Sequence, residues 1–399
     1  KTASEVIPDV QKKGVRFQHY NISFITDLYL RGIRDFDLEN AYANMKAEFM
    51  EASKIPWCRG PATELDRFYL QNGFFPALAA GQKEWVAQVD SFEKRQCVTI
   101  TLQAAYESWC LAQLAQALGK EADYHYFLNH AADYRNLYNP KTGFMSPKSA
   151  DGNWVEPFDP KWSGGLGGRD YFAEMNSWTY TWYVPHDVQG LIELAGGREK
   201  FVDRLDAVFN EQYDRPDAKF RFLGQFPDET GLIGQYAHGN EFSRHIPYLY
   251  IYAGAPWKTQ KRVRDIMDVW YGSGPLGICG DEDSGLMSVW YVYAAMGLQP
   301  ANIMCPNYPA WLLSSPLFSR VTLTLADGKQ FIIQARHTSR QNKYIQKAVL
   351  NGAPLHRAWL NHSELVQGGT LVLTMGPRPN RSWASDADAA PPSMTTMRE

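Results

Sequence analysis

The sequence predicts a mainly α-helical protein, with helical hairpins closed into a toroid over residues 1–314 and a small C-terminal antiparallel β-sheet unit over residues 315–383. Between Ile22 and about Gly196, apolar residues recur at the three- and four-residue spacing of amphipathic helices. From Ser319 onward the spacing changes to two, which is the period of a half-buried strand. A chain of 399 residues is long enough for two such units.

The clearest helical pair is predicted at residues 98–139. The segment VTITLQAAYESWCLAQLAQALGK is amphipathic and ends at Gly119, where a left-handed glycine closes a helix. HYFLNHAADYRNLYN is its predicted partner and ends before Pro140. Three later segments resume the helical spacing after short polar loops: YFAEMNSWTYTWYVPHDVQGLIELAG, EFSRHIPYLYIYAG and SGLMSVWYVYAAMGL. Polar residues are therefore expected at one end of the helices.

Residues 139–170 have no helical period. Their sequence, NPKTGFMSPKSADGNWVEPFDPKWSGGLGGRD, is too rich in Gly, Pro and Trp for a helix. A loop of this length in a compact domain is usually functional or disordered, and its aromatic residues argue against disorder. We predict that it forms a lid or rim over a site.

The C-terminal unit is predicted from a hairpin signal. RVTLTLADGKQFIIQAR alternates apolar and polar residues around Asp327-Gly328, and KAVLNGAPL and TLVLTMG continue as strands. The tail ASDADAAPPSMTTMRE is small, polar and contains proline. Residues 384–399 are therefore predicted to be disordered.

The composition argues against two classes of protein. With 40 basic and 43 acidic residues the formal net charge is −3, which gives no basic field for binding nucleic acid. No run approaches the roughly 18 apolar residues of a membrane helix, so no membrane insertion is expected. The five cysteines include no Cys-x-x-Cys pair for zinc or redox chemistry. A neutral or weakly charged substrate fits better.

Acidic residues collect where loops lead into helices. Glu174 lies in AEMNSW, Glu241 in HGNEFSRH, and Asp281, Glu282 and Asp283 in CGDEDSG. Glycoside hydrolysis needs one protonated carboxyl group for the leaving oxygen and one ionised group to activate water or attack the sugar. A single acid before a helix is more often an N-cap or a partner of the helix dipole. Three crowded carboxylates fit that explanation less well, because like charges raise one another's pKa unless a cation or proton is shared.

The HGNEFSRH segment offers hard oxygen ligands. The amide of Asn240, the carboxylate of Glu241 and nearby backbone carbonyls suit Ca²⁺ rather than zinc. His238 and His245 flank this cluster, and a lone histidine is more often a structural hydrogen-bonding residue than a catalyst. From the residues alone, a metal site and a purely structural cluster both remain open.

Longer stretches carry a specific resemblance that spans nearly the whole chain, in order. GNEFSRHIPYLYIYAGAPWKTQKRVRDIM, GDEDSGLMSVWYVYAAMGLQP and SSPLFSRVTLTLADGKQF closely resemble the calcium-dependent exo-α-mannosidases of glycoside hydrolase family 92. DLYLRGIRDFDLENAY, AYESWCLAQLAQALGK, EMNSWTYTWYVPHDVQGL and MGPRPNRSW resemble that family too. The chain departs from the family pattern at Phe242 and Arg244, where Pro and His are usual, and at Met175, where Gly is usual.

The resemblance implies an (α/α)6 toroid with β-sandwich material. It also implies removal of terminal α-linked mannose from N-glycan or mannan-type glycans, with inversion at the anomeric carbon. Glu174 matches the general acid of the family, and Asp281 and Asp283 match the pair assigned to base catalysis. Inversion further implies a separation of roughly 6.5–9.5 Å between the acid and base carboxyl groups, wide enough for the attacking water.

The same resemblance implies a cofactor and substrate contacts. Asn240 and Glu241 fall in the Ca²⁺ site motif of the family, and His238 and His245 are expected to bind substrate. A divalent cation bridging vicinal hydroxyls of a mannose-containing oligosaccharide could hold the ring in a distorted shape closer to the transition state.

Family members carry an N-terminal β-sandwich and the first barrel helices ahead of the point where this sequence begins. We therefore expect an incomplete toroid and a complementary N-terminal segment or chain as partner. The alternative is a non-catalytic mannose- or glycan-binding subunit. The family implies a secreted or periplasmic location, although KTASEVIPDVQKKG lacks the apolar core of a signal peptide.

Overall fold

The computed structural model describes residues 20–79, 81–166, 168–213, 230–280, 282, 285–301 and 308–397. The chain divides into two compact units, Lys1–His186 and Asp187–Glu399. This division falls inside the segment predicted to form one toroid, and the toroid itself stays a prediction. The mainly helical character with small sheets is confirmed.

The first unit is built around one long helix whose residues are buried on nearly every side. Its flanking helices pack against it, and a short hairpin and a four-residue helix follow. The helices are α1 (Tyr20–Leu30), α2 (Leu38–Glu51), α3 (Glu64–Asn72), the long α4 (Cys97–Ala117), α5 (Glu121–His130) and α6 (Ser177–Tyr180). The hairpin consists of β1 (Tyr138–Asn139) and β2 (Phe144–Met145).

The predicted helical pair is confirmed as α4 and α5, although α4 is buried on nearly every side and is not the amphipathic helix that the sequence predicted. Gly119 has a φ of +67°, a conformation that is strained for residues with a side chain. It closes α4 as the sequence indicates. The three-residue link to α5 is too short for anything but a reversal of direction, so the two helices pack closely. The partner is shorter than predicted, because a 3-10 turn at Asp133–Leu137 replaces its last part.

Among its described residues, the second unit contains six α-helices, two 3-10 helices ahead of the third α-helix, and two sheets of three or more strands. The helices are α7 (Val188–Leu194), α8 (Arg198–Val208), α9 (Pro256–Trp270), α10 (Leu286–Met296), α11 (His362–Val366) and the terminal turn α12 (Met394–Met397), of which the last two are single turns. A small hairpin, β3 (Leu232–Ile233) with β4 (Tyr236–Ala237), leads into the 3-10 helices Glu241–Ser243 and Ile246–Ile251.

The larger sheet has the order β10-β9-β12-β8-β7, and a three-stranded sheet has the order β11-β6-β5. The strands are β5 (Leu298–Pro300), β6 (Ala310–Leu313), β7 (Arg320–Thr324), β8 (Gln330–Arg336), β9 (Tyr344–Leu350), β10 (Ala353–Pro354), β11 (Trp359–Asn361) and β12 (Gly369–Gly376). The predicted hairpin at Asp327-Gly328 is confirmed, since β7 and β8 pair antiparallel and Gly328 has a φ of +83°.

The prediction that this unit is antiparallel is wrong in one place. Strand β12 runs parallel to β8 and antiparallel to β9, so the larger sheet is mixed. A period of two identifies a strand but carries no direction. The long connection from β8 to β12 is what permits a parallel pair.

The prediction of a disordered tail is also wrong for residues 384–397. The carboxylate of Asp187 accepts hydrogen bonds from the backbone amide of Thr395 at 2.9 Å and from its hydroxyl at 2.8 Å. Met394 is buried beside them. Composition alone did not reveal that a buried aspartate holds this small, polar segment. Among the described residues, no helix is long and apolar enough to span a bilayer.

Candidate active site

Glu174 lies in the first unit, on the turn that leads into α6. Its carbonyl oxygen accepts a hydrogen bond from the amide of Gly165 at 2.8 Å. The preceding amide, that of Ala173, donates to the hydroxyl of Thr99 in the first turn of α4 at 3.0 Å. The backbone on both sides of the turn is therefore fixed, while the Glu174 side chain stays partly exposed.

Two small features tighten this turn. A Cβ atom at Gly164 would lie 2.5 Å from the carbonyl oxygen of Ala173 and closer still to that of Phe172, so only glycine fits against this backbone. Asn176 is fully buried and caps α6, because its side-chain oxygen accepts the amide of Trp178 at 3.0 Å. The partly exposed acid thus lies between a close backbone contact and a capped helix.

The second unit holds the HGNEFSRH segment. The amides of His238 and Gly239 donate to the carbonyls of Gly231 and Thr230, at 3.1 and 3.0 Å, which extends the β3-β4 hairpin. Asn240 is fully buried and caps the 3-10 helix Glu241–Ser243, with its Oδ1 atom 3.1 Å from the amide of Phe242. Glu241 begins that helix and is partly exposed.

A buried cation lies beneath this loop. Arg244 is fully buried, and its guanidinium donates to the carbonyls of His238 at 3.4 Å and Gly239 at 3.3 Å. Its own carbonyl accepts the indole N–H of Trp290 at 3.1 Å. Arg244 therefore joins the loop to α10 and places a permanent positive charge under it.

His238 is fully buried between two tyrosine hydroxyls. Its Nδ1 atom lies 2.7 Å from the hydroxyl of Tyr236, and its Nε2 atom lies 2.7 Å from the hydroxyl of Tyr271. The Tyr271 hydroxyl also donates to the carbonyl of Met287 at 3.2 Å. Burial, reinforced by the charge of Arg244, holds the pKa of His238 well below its usual range.

These contacts assign the tautomer of the imidazole. The Tyr271 hydroxyl has one proton, which it donates to the carbonyl of Met287. In the hydrogen bond between His238 and Tyr271, the proton must therefore come from the Nε2 atom of His238. The Nδ1 atom then accepts from Tyr236. One directed chain of hydrogen bonds runs from Tyr236 through His238 and Tyr271 to the first turn of α10.

Aromatic packing holds this chain in place. The ring of Trp290 lies 4.4 Å from that of His238, at 71°, and stacks parallel to Tyr271 at 5.9 Å. Tyr291 contacts the ring of Tyr271 at 4.7 Å. Sequence reasoning missed Tyr271, Trp290 and Tyr236 because they carry no short motif, and only the Tyr-x-His spacing of Tyr236 offered a local signal.

Both histidines that were expected to bind substrate lie in the interior. His245 is 6% exposed, directly before the 3-10 helix Ile246–Ile251. A sugar hydroxyl would reach the ring nitrogens of His238 only by displacing a tyrosine hydroxyl. Their role in binding substrate stays a prediction, and the contacts of His238 fit the positioning of a neighbouring group.

The acidic segment GDEDSG precedes α10. Asp281 and Asp283 lie outside the described residues. Glu282 lies within them, and its Oε1 atom accepts the amide of Ser288, in the first turn of α10, at 3.3 Å. Glu282 therefore accepts one of the free amides in the first turn of α10, whose N-cap residue is Gly285, and the sequence could not assign this role among the three acids.

The side-chain oxygens of Asn240 and Glu241 are of the chemical type that binds calcium. An amide oxygen and a carboxylate are the hard oxygen ligands that calcium prefers. Calcium takes about six to eight oxygens, so most of the shell would come from backbone carbonyls, water, sugar hydroxyls or other residues. Within the part of the chain that the structure covers, no group of three or more His, Cys, Asp or Glu side chains is suited to hold a metal.

Among known proteins, the chain is similar to glycoside hydrolases. The model of the glycosyl hydrolase family 92 catalytic domain matches residues 9–377. The chain belongs to this family, which confirms the resemblance in its sequence. In the curated proteins, it is 29% identical over 320 residues to an uncharacterised secreted glycosidase of Arthroderma benhamiae, covering 74% of this chain and 38% of the relative.

Solved structures of the same family are also similar. A family 92 α-mannosidase from Bacteroides thetaiotaomicron, in complex with mannoimidazole, is 33% identical with a TM-score of 0.79, covering 93% of this chain and 45% of that one. A family 92 inverting mannosidase from the same organism is 36% identical with a TM-score of 0.77, covering 94% and 48%. The chain thus spans less than half the length of these relatives.

Proposed function

We propose that the protein is an inverting, calcium-dependent exo-α-mannosidase, which removes terminal α-linked mannose from N-glycan or mannan-type glycans. The observation that carries this proposal is the match over 93–94% of the chain, at 33–36% identity, to two family 92 mannosidases. One of those proteins binds mannoimidazole and the other is described as inverting. A secreted or periplasmic location is part of the proposal, in line with the secreted relative.

In this proposal Glu174 is the general acid. The leaving oxygen of a sugar is strongly basic, so its departure needs a proton from a group that is held in place. The backbone contacts of Gly165 and Thr99 hold the Glu174 turn, and the partial exposure of its side chain allows a substrate to reach the carboxyl group. Asp281 and Asp283 would activate water on the opposite face of the ring.

Asn240 and Glu241 would contribute two of the ligands for calcium in the second unit. When bound, the ion would supply positive charge for vicinal sugar hydroxyls. The Asn240 side chain already serves as a helix cap, and the Arg244 guanidinium holds the carbonyls of the loop. These contacts preorganise the loop before any ligand binds.

Comparison of leaving groups tests the role of Glu174. Glu174→Gln should lose about a hundredfold or more in kcat/KM on an α-mannobioside, whose leaving group needs a proton. The same variant should lose far less on 2,4-dinitrophenyl α-mannoside, whose leaving group departs as a stable anion. Steady-state kinetics on both substrates measure the difference.

Glu121→Gln is the matched control. Glu121 is an exposed acid on α5 that pairs with His125, so its amide variant should behave as the wild type on both substrates. Equal losses of Glu174→Gln on both substrates would contradict the acid role. Mannose binding without any release by the wild type would instead favour a glycan-binding subunit.

A further inference from the structure

A cavity of about 620 Å³ lies in the first unit, outside the turn that carries Glu174. It is lined by residues from the ranges 78–79 and 81–94 and by Asp170 and Tyr171, and we call it the Trp85 cavity. Its volume falls within the roughly 300–1,000 Å³ of small-molecule sites. None of the residues proposed for catalysis or calcium binding lines it.

Trp85 forms an exposed platform in this cavity. Half of its surface is exposed, although the guanidinium of Arg95 covers one face at 4.5 Å from the ring centroid. The open surface therefore includes the opposite face. The indole N–H donates to the carboxylate of Glu64 at 2.6 Å, which fixes the plane of the ring.

Several hydrogen bonds hold the Arg95 and Glu84 side chains that pack behind Trp85. Arg95 is only 1% exposed and forms two hydrogen bonds with the carboxylate of Glu84, at 2.6 and 2.8 Å. Arg95 also donates to the carbonyl of Pro76 at 2.9 Å. The Glu84 carboxylate accepts the amides of Trp85 and Val86, both at 2.9 Å. A ring held on one face in this way is preorganised for a ligand on the other.

Polar groups of both signs complete the lining. Asp170, Lys83, Lys94 and the hydroxyl of Tyr171 line the cavity, and none forms a side-chain hydrogen bond or ion pair in the described parts of the chain. Sugar hydroxyls donate and accept, so they can satisfy all of these groups. The mixed charges favour a neutral ligand over a phosphate or another polyanion.

Hydrogen bonds to the first turn of α4 connect the Trp85 cavity with the turn that carries Glu174. The carbonyl of Tyr171 accepts the amide of Val98 at 2.9 Å, in the first turn of α4. The next residue of that helix, Thr99, accepts the amide of Ala173 beside Glu174. A ligand held at Tyr171 is therefore positioned relative to the acid through a few hydrogen bonds.

We propose that the Trp85 cavity is a distal subsite that binds a pyranose unit of the same oligosaccharide, with the C–H face of the sugar packed on Trp85 and its hydroxyls on Asp170, Tyr171 and the lysines. The electron-rich face of an indole attracts weakly positive C–H groups, which gives the stacking its preference. This proposal rests on the proposed function for the identity of the sugar.

Binding to the full chain tests this subsite without relying on turnover. The probes are α-linked mannotetraose and methyl α-mannoside, measured by titration calorimetry in the Glu174→Gln background so that neither is consumed. Trp85→Ala should weaken mannotetraose binding by about tenfold or more, because the stacking face is lost. Its affinity for methyl α-mannoside should stay unchanged.

Two further variants separate binding from folding. Trp57→Ala removes another exposed tryptophan of the same unit, 67% exposed and outside the cavity, and should leave both affinities unchanged. Trp85→Phe keeps a ring and should restore much of the lost affinity. Equal weakening of both probes, or unchanged mannotetraose affinity in Trp85→Ala, would overturn the subsite.

The outcome also distinguishes this proposal from the hydrolase proposal. If the wild type releases mannose but mannotetraose binding does not depend on Trp85, the subsite proposal is contradicted and the hydrolase proposal is supported. If mannotetraose binding depends on Trp85 but the wild type releases no mannose, the subsite proposal is supported and the hydrolase proposal is contradicted.

Discussion

The Nε2 atom of His238 lies 2.7 Å from the hydroxyl of Tyr271, and this bond joins the loop that carries Asn240 to the aromatic packing around α10. Because the Tyr271 hydroxyl donates onward to Met287, the imidazole is fixed as a neutral donor. The bond therefore links the HGNEFSRH segment to the helix that follows the acidic GDEDSG segment.

Removing the Tyr271 hydroxyl should destabilise the second unit. Tyr271→Phe leaves the Nε2–H group of His238 and the carbonyl of Met287 without this partner, which costs about 1–3 kcal/mol. We expect a thermal unfolding midpoint several degrees lower, measured by calorimetry. Tyr291→Phe is the control, since its hydroxyl forms no hydrogen bond to the described residues. Equal midpoints for the two variants would contradict the chain of hydrogen bonds.

Calcium should stabilise the protein through Asn240. In millimolar CaCl₂ the unfolding midpoint should rise above that in chelator, since a ligand at about a hundred times its Kd adds roughly 2.7 kcal/mol. Asn240→Ala should lose most of this response. Asn176→Ala is a matched control, because Asn176 is also a fully buried helix cap. A calcium response that both variants keep would show that Asn240 is no ligand.

The turn that carries Glu174 should not tolerate a side chain at Gly164. In Gly164→Ala the new Cβ displaces the backbone of Phe172 and Ala173, and a shift of about 1 Å at the acid costs up to about a hundredfold in kcat. Gly274→Ala is the control, because a Cβ at Gly274 meets nothing within 4 Å. Steady-state release of mannose measures both. Full activity in Gly164→Ala would show that this contact does not position the acid.

The buried amine of Lys54 should make stability depend on pH. Lys54 is 2% exposed, and burial lowers its pKa although Asp66 and Glu107 oppose the shift. Because the unfolded chain then binds more protons between the folded pKa and about 10.5, the stability of the wild type relative to Lys54→Met should rise with pH across that window. The slope is at most about 1.4 kcal/mol per pH unit.

Unfolding midpoints at pH 7 to 10 measure this difference. Lys141→Met, at an exposed position, should differ from the wild type by a small and constant amount. A difference between wild type and Lys54→Met that stays constant, or that falls as the pH rises, would contradict the assignment.

The sequence predicted those features that depend on local pattern. The helix α4 follows from apolar spacing and from Gly119, and the β7-β8 hairpin follows from Asp327-Gly328. Helix caps have local signals too, but the sequence analysis did not single out Asn176, and it could not choose among the three acids of GDEDSG for the contact with α10.

Features that depend on distant contacts were not predictable. Strand direction in β12 depends on a long connection, and the order of the tail depends on Asp187, about two hundred positions earlier. The link from His238 to Tyr271 joins residues 33 positions apart, and the buried Arg244 shows its role only once its carbonyl partners are known. No spacing rule identifies such pairs.

The anomer of the first mannose released from an α-mannobioside tests the central claim most directly. Proton NMR during the first minutes of the reaction distinguishes β-mannose from α-mannose before mutarotation mixes them. An inverting exo-α-mannosidase releases β-mannose first, and this signal should disappear in Glu174→Gln. Release of α-mannose first, or no release by the folded, calcium-loaded protein, would contradict the account.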